Sequence, residues 1–191
     1  MTRALYLFRN IRTKQVLAST ENSLLTKPKL VKAQIHDPTL RPTVIRPDHW
    51  TPLVVASGFE TEKAQHDAFT LISQPGHPLV PKTKEEIRDY QLTKNKHKRL
   101  IDLDTTERQI AQLARTLVYM DGAKSGSIPH GSKIQLYWEN KEWISKVEEA
   151  GLQWPQWVEH RDLELKRGNI IVNPELRGGA EAEAISSTAS N

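Results

Sequence analysis

The residues of this chain whose type and spacing best indicate a function are its lysines and arginines. Their side chains are suited to binding phosphate. They are concentrated in three stretches, at residues 9–14, 27–46 and 94–99. Residues 1–99 contain 17 Lys or Arg and 9 Asp or Glu, whereas residues 100–191 contain 10 and 14. This asymmetry predicts one surface that faces a polyanion and another that faces protein or solvent.

Catalytic and metal-binding patterns are not found in the sequence. Cysteine is absent, which excludes a disulfide, a thiolate zinc site and a cysteine nucleophile. The seven histidines are scattered, without an HExxH motif or a paired metal-ligand spacing. The Gly/Ser-containing stretch 122–131 lacks the Gly-Lys-Ser/Thr ending of a phosphate-binding loop. We therefore expect no catalytic residue, no metal site and no cofactor, and a protein that is not an enzyme.

The cations of the first stretch lie in a turn between two short strands that residues 4–19 predict. Side chains alternate along a strand, so Tyr6 and Phe8 should face one side and Leu5 and Leu7 the other. A long basic segment, 20–49, follows, and its prolines deny it a continuous helix. Such a length is either a flexible linker or an extension that becomes ordered on a partner surface.

The next part of the chain predicts a central strand and the helix that covers it. Trp50–Ser57 reads as the strand, ended by Gly58, and Thr61 as the cap of the helix. A capping box at 83–86 opens a second helix, which becomes almost entirely polar over 91–99. That polar stretch is either a solvated face or a basic rod that lies along nucleic acid.

The acidic half predicts a further strand–helix unit. A capping box at 104–107 opens a core helix that ends at Gly122, Ile134–Trp138 is a strand, and 140–150 is a helix. Residues 163–172 should form a hairpin that turns at 167–169. Four tryptophans of this half fit core packing, namely Trp138, Trp143, Trp154 and Trp157, whereas Trp50 beside the basic segment could be either buried or exposed.

The fold class that these elements predict is α+β: a small mixed or antiparallel sheet covered by helices, with a long basic loop and a disordered C-terminal tail. The predicted units are a hairpin and strand–helix core at 1–81 with the basic extension 20–49, a helical segment with a basic patch at 82–131, a strand–helix–hairpin unit at 132–176, and the tail at 177–191. No apolar run approaches the roughly 20 residues of a membrane span.

Three motifs in order resemble a known family: LYLFRNIRTKQVL, then RPDHWTPLVV, then IQLYWEN with tryptophans after it. Together they look like the fungal mitochondrial homologous-recombination protein family, whose members are also large-subunit proteins of the fungal mitochondrial ribosome. The resemblance implies a mitochondrial protein bound to ribosomal RNA, with roles in DNA pairing and mitochondrial DNA maintenance. It carries over Arg9, Asn10 and Arg12 as motif positions.

From the residues and the resemblance together we expect a structural RNA-binding component of the mitochondrial ribosome large subunit, in the matrix. Its partners would be ribosomal RNA and neighbouring mitochondrial ribosomal proteins. The alternative is a DNA-pairing protein that contacts mitochondrial DNA, and a third reading is a protein-interaction module or unrecognised enzyme that uses the acidic half. The residues expected to contact RNA are Arg9, Asn10, Arg12, Lys14, Lys27, Lys29, Lys32, Arg41, Arg46, Lys94, Lys96, His97, Lys98 and Arg99.

Overall fold

A computed structural model of the protein describes residues 3–22, 24, 28–42, 46–74, 82–121 and 133–176. Within those residues the strands are β1 (Ala4–Asn10), β2 (Val16–Ser19), β3 (Trp50–Ser57), β4 (Ile134–Trp138), β5 (Val158–Asp162), β6 (Leu165–Lys166) and β7 (Ile170–Ile171). The helices are α1 (Pro28–Gln34), α2 (Glu62–Ile72), α3 (Lys84–Leu92), α4 (Asn95–Leu103), α5 (Thr106–Asp121) and α6 (Glu142–Glu149). The predicted disordered tail, the predicted helix end at Gly122 and the stretch 123–131 lie outside the described residues.

Five strands form one sheet in the order β2-β1-β3-β4-β5. The first three pairings are antiparallel, and β5 joins β4 in parallel after the crossover through α6. The remaining two strands form a separate antiparallel hairpin. The structure therefore confirms the α+β class, the mixed sheet and the central position of the strand that begins at Trp50.

One face of the sheet carries the larger core. Leu5, Leu7 and Val54 lie on this face and pack in one cluster with buried residues of α2, α5 and α6. Helix α2 begins as predicted, because the Thr61 side chain accepts a hydrogen bond from the Ala64 N–H at 3.0 Å.

The opposite face is also covered. Tyr6 and Phe8 stack at 6.0 Å between ring centroids and are buried in a second cluster. That cluster contains Val31 of α1 and Ile171 of the β6–β7 hairpin. The predicted alternation of side chains is confirmed, and neither aromatic ring is available for stacking on a base.

The connection between β2 and β3 contains more regular structure than the sequence predicted. Helix α1 begins at Pro28, and 3-10 turns begin at Pro38 and Pro47. Proline suits the first position of a helix because its fixed φ fits the helix and its missing N–H would have no helical partner there. The prolines thus prevent one continuous helix, as predicted, and start three short ones. Leu24 and Val31 are buried, so these parts pack on the sheet.

The polar segment 91–99 is not one continuous helix, which corrects the prediction that the helix opened at 83–86 continues through it. Helices α3 and α4 are separated at Thr93, whose hydroxyl donates to the Asp89 carbonyl at 2.7 Å and whose N–H donates to the Tyr90 carbonyl. Both groups of Thr93 are thereby used to end α3, and its backbone is extended. The capping box predicted at the start of α3 is present.

Gly58 holds the end of β3 against the strand that follows it in the sheet. Its φ is +96°, and a Cβ atom there would overlap the Lys133 carbonyl oxygen. Gly151 also has a positive φ, +80°, but a Cβ would meet no atom nearby. A side chain at Gly58 would therefore cause both backbone strain and steric overlap, whereas a side chain at Gly151 would cause backbone strain alone.

We expect Gly58→Ala to lower the free energy of unfolding by more than Gly151→Ala. Both substitutions incur roughly 1–2 kcal/mol for a left-handed backbone, and Gly58→Ala adds about 1–3 kcal/mol for overpacking. Urea unfolding of the two variants and the unchanged protein measures the difference. Equal losses would show that the backbone at Gly58 shifts freely away from Lys133.

Candidate nucleic-acid interface

The β1–β2 turn is organised by a buried polar residue. The Asn10 side-chain oxygen accepts hydrogen bonds from the N–H groups of Arg12 and Thr13, at 2.9 and 3.0 Å. Its backbone N–H donates to the Gln15 carbonyl, and its carbonyl accepts from the Lys14 N–H. Asn10, one of the expected RNA contacts, is only 6% exposed, so its side chain shapes the turn.

Three distant segments of the chain meet at this turn. The Gln15 side chain donates to the Leu40 carbonyl at 2.7 Å. The Lys14 carbonyl accepts from the N–H of Thr105 and, at 3.0 Å, from the hydroxyl of Thr106 at the start of α5. The Ile11 N–H donates to the His49 carbonyl at 2.9 Å. These hydrogen bonds bring the basic segment 20–49 and the end of the α3–α4 pair to the β1–β2 turn.

Two more contacts enlarge this region. The Arg99 guanidinium donates to the Thr39 carbonyl at 3.1 Å, which joins α4 to the 3-10 turn. The Asn169 side chain donates to the carbonyl of Trp50, which is the strand partner of Asn10. The turn of the β6–β7 hairpin therefore lies at the same end of the sheet. We call residues 11–15, 36–41, 46–49, 99–106 and 166–169 the basic end.

Positive charge predominates at the basic end. Its acidic residues are Asp37, Asp48, Asp102 and Asp104, and its lysines and arginines are Arg12, Lys14, Arg41, Arg46, Arg99, Lys166 and Arg167. The last two were not among the expected contacts. The sequence indicates their turn through Gly168 and Asn169, but it gives no sign that this turn packs beside Trp50.

Several of the expected contacts are engaged within the protein. Arg9 forms an ion pair with Glu139 at 2.7 Å, with 22% of its side chain exposed. Arg41 donates to the carbonyls of Ile35 and His36. Arg46 pairs with Asp48 at 3.0 Å, and this hydrogen-bonded partner lowers the pKa of the Asp48 carboxyl.

Other cations face solvent. Arg12, Lys14, Lys166 and Arg167 are exposed and form no ion pair within the described part of the chain. They are the side chains of the basic end with the greatest freedom to contact an external phosphate.

Other expected contacts lie on α1 and at the start of α4. Lys94, Lys96 and His97 are exposed, whereas Lys98 donates to the Gln91 carbonyl at 2.9 Å. Lys29 and Lys32 are exposed on α1. Lys27 lies outside the described residues.

The acidic half contains a packed aromatic cluster. Trp138 is 1% exposed, and its indole N–H donates to Nδ1 of His160 at 2.9 Å. Trp154 packs edge-on against both rings, and burial lowers the pKa of His160. Trp143 and Trp157 are partly buried against the same core. These contacts confirm core packing for the tryptophans of this half, and Trp50 is buried as well.

The described residues contain neither a metal-binding cluster nor a membrane-spanning helix. No group of three or more His, Asp or Glu side chains in the ranges given above could hold a metal ion. In the same ranges, no helix has the length and apolarity needed to cross a membrane.

The fold and the basic end define a small α+β protein with a surface on which lysines and arginines outnumber aspartates. Residues 2–74 match the Mhr1 family model, whose description is "Transcriptional regulation of mitochondrial recombination". The matched range includes the β1–β2 turn, the basic connection, β3 and α2. No curated protein matches the chain. The description names mitochondrial recombination, which agrees with the alternative function in the sequence analysis, and does not mention the ribosome.

The burial of His160 predicts a pH-dependent stability. The pKa of His160 is lower in the folded protein than its ordinary 6.5. The unfolded chain therefore binds the proton more readily, and stability is fully present above about pH 6.5 and is lost as the pH falls towards the lowered value. We expect urea unfolding at pH 7.5 and 5.5 to show this loss.

The matched variant is His160→Asn, because an asparagine oxygen can accept the indole N–H without titrating. We expect its stability to change less between the two pH values than that of the unchanged protein. The same pH dependence in both proteins would contradict a role for His160.

Proposed function

We propose that this protein binds DNA through the basic end and pairs complementary strands during recombination of mitochondrial DNA. The observation that carries the proposal is the convergence of separate cationic segments on one end of the sheet, which the contacts of Lys14, Gln15 and Arg99 bring about. The family description supports it, since the matched residues 2–74 include the turn at the centre of that surface.

Charge neutralisation is the physical basis of the proposed activity. Two complementary strands repel each other because both are polyanions, and a cationic surface that contacts both reduces this repulsion. Lysine and arginine contacts to phosphate release condensed counterions and carry no sequence preference. The rings of Tyr6, Phe8 and Trp50 are buried, so these three side chains do not stack on bases.

This activity requires no reacting group. Binding two strands and lowering their repulsion needs neither a catalytic residue nor a cofactor, so we propose a protein that is not an enzyme. Because the protein would bind mitochondrial DNA, we propose that it is located in the mitochondrial matrix.

The basic end gives a prediction about salt dependence. We compare the variant Arg12→Gln/Lys14→Asn/Arg167→Gln with the control Arg3→Gln/Lys63→Gln/Lys133→Gln, which removes the same charge near the opposite end of β1 and β3. Asparagine is chosen because Lys14 has a φ of +60°. If all three side chains contact phosphate, the log–log salt slope of DNA affinity should fall by about two to three, at roughly 0.7–0.9 for each contact.

Fluorescence anisotropy with labelled DNA over a series of salt concentrations measures both slopes. The control should keep the slope of the unchanged protein. If the two variants have equal slopes, the binding depends on net charge and not on the basic end.

Strand annealing tests the function itself. We expect the unchanged protein to accelerate annealing of complementary DNA strands at physiological salt, and the basic-end variant to lose most of that acceleration. A fluorophore–quencher pair on the two strands reports the rate. No acceleration by the unchanged protein would overturn the proposal.

The ribosomal function expected from the sequence uses the same cationic surface, and sedimentation separates it from DNA pairing. A mitochondrial lysate is run on a gradient at low salt and again near half-molar salt. Co-migration with the large ribosomal subunit at both salts would support the ribosomal function. Recovery in the light fractions at both salts would favour action on DNA.

A further inference from the structure

The tip of the β1–β2 turn reverses the usual placement of polar and apolar side chains. Asn10 and Gln15, which flank the turn, are only 6% and 4% exposed, whereas Ile11 between them is 45% exposed. A single exposed apolar residue is common on protein surfaces. Here the neighbouring polar residues are buried while the apolar one is outside, and such a violation of the local pattern is expected at functional sites.

The turn is held so that Ile11 stays outside. The N–H of Ile11 donates to the His49 carbonyl, and the following two N–H groups donate to the Asn10 side chain. The Lys14 carbonyl is fixed by the start of α5. Because these backbone groups are tied to the Asn10 side chain and to two other segments of the chain, the turn cannot fold inward to bury the isoleucine without breaking these hydrogen bonds.

Two exposed cations belong to the same turn. Arg12 follows Ile11 directly, and Lys14 lies two residues further on in the same turn. Proteins that unstack DNA insert an apolar side chain between neighbouring bases and contact the phosphates around it with basic residues. The turn combines both kinds of side chain on a rigid support.

We propose that Ile11 inserts between neighbouring bases of bound DNA and unstacks them, while Arg12 and Lys14 contact the flanking phosphates. This inference rests on the proposed function. It also gives the basic end a means to act on bases as well as phosphates. The interaction is non-covalent and forms no intermediate.

The test uses single-stranded DNA that contains 2-aminopurine, whose fluorescence is quenched by stacking. We expect the unchanged full-length protein to raise this fluorescence on binding, Ile11→Ser to remove most of the rise, and Ile11→Leu to retain it. The control Val118→Ser removes an apolar side chain that is 49% exposed in the distal half of α5, and it should retain the rise.

Anisotropy of end-labelled DNA is measured in parallel. Ile11→Ser should bind within about threefold of the unchanged protein, because phosphate contacts dominate the affinity. Circular dichroism of each variant checks that it is folded, and Ile11→Leu provides a second test that preserves apolar volume.

The outcomes separate the two proposals. If the unchanged protein binds without raising the fluorescence, or if Ile11→Ser raises it as much, the insertion is overturned and the DNA-binding function stands. If the unchanged protein does not bind DNA at all, the proposed function and the insertion are both overturned.

Discussion

The hydrogen bonds of Asn10 are the constraint on which the arrangement of the basic end depends. The buried side-chain oxygen fixes the β1–β2 turn, and the fixed turn presents the Lys14 carbonyl to α5 and the Gln15 side chain to Leu40. Bringing like charges together costs electrostatic free energy. At this end an asparagine, a glutamine, two threonines and backbone carbonyls hold the segments together, so Arg12, Lys14, Lys166 and Arg167 are left to face solvent.

The two covered faces of the sheet limit the ways in which the protein can recognise a partner. Sheets that bind single-stranded nucleic acid often expose aromatic side chains on one face. Here Tyr6 and Phe8 are beneath α1 and the C-terminal hairpin. Recognition is thereby moved from the face of the sheet to its end, where turns and helix termini meet. A surface of this kind reads the shape and charge of a backbone better than the identity of a base.

Much of the local structure could be predicted from the sequence, because local structure depends on residues close together in the chain. The alternation in β1, the caps at Thr61 and Thr83 and the bounds of β3 are all short-range patterns, and all are confirmed. The break between α3 and α4 was missed because a threonine in a polar run gives no strong signal before its side-chain hydrogen bond is seen.

The assembly of the basic end could not be predicted, because its contacts join residues far apart in the sequence. Gln15 reaches Leu40, Lys14 meets Thr106, and Asn169 meets Trp50, in each case through a side chain and a backbone group. Such pairs leave no periodic pattern. For the same reason the sequence could not indicate that Arg9 pairs with Glu139, 130 residues away.

The outer edge of β2 is covered in a way that hinders pairing with a second copy of the protein. The Gln34 side-chain amide donates to the Ala18 carbonyl and accepts from the Ala18 N–H, both at 2.8 Å, and the Thr105 hydroxyl accepts from the Val16 N–H. The Gln34 amide thus makes the hydrogen bonds that the peptide group of a neighbouring strand would make. Because Gln34 is the last residue of α1, protection of this edge depends on the folding of that helix. Melting of α1 would uncover part of a strand edge able to pair with a second molecule, so a helix of only seven residues protects this edge of the sheet.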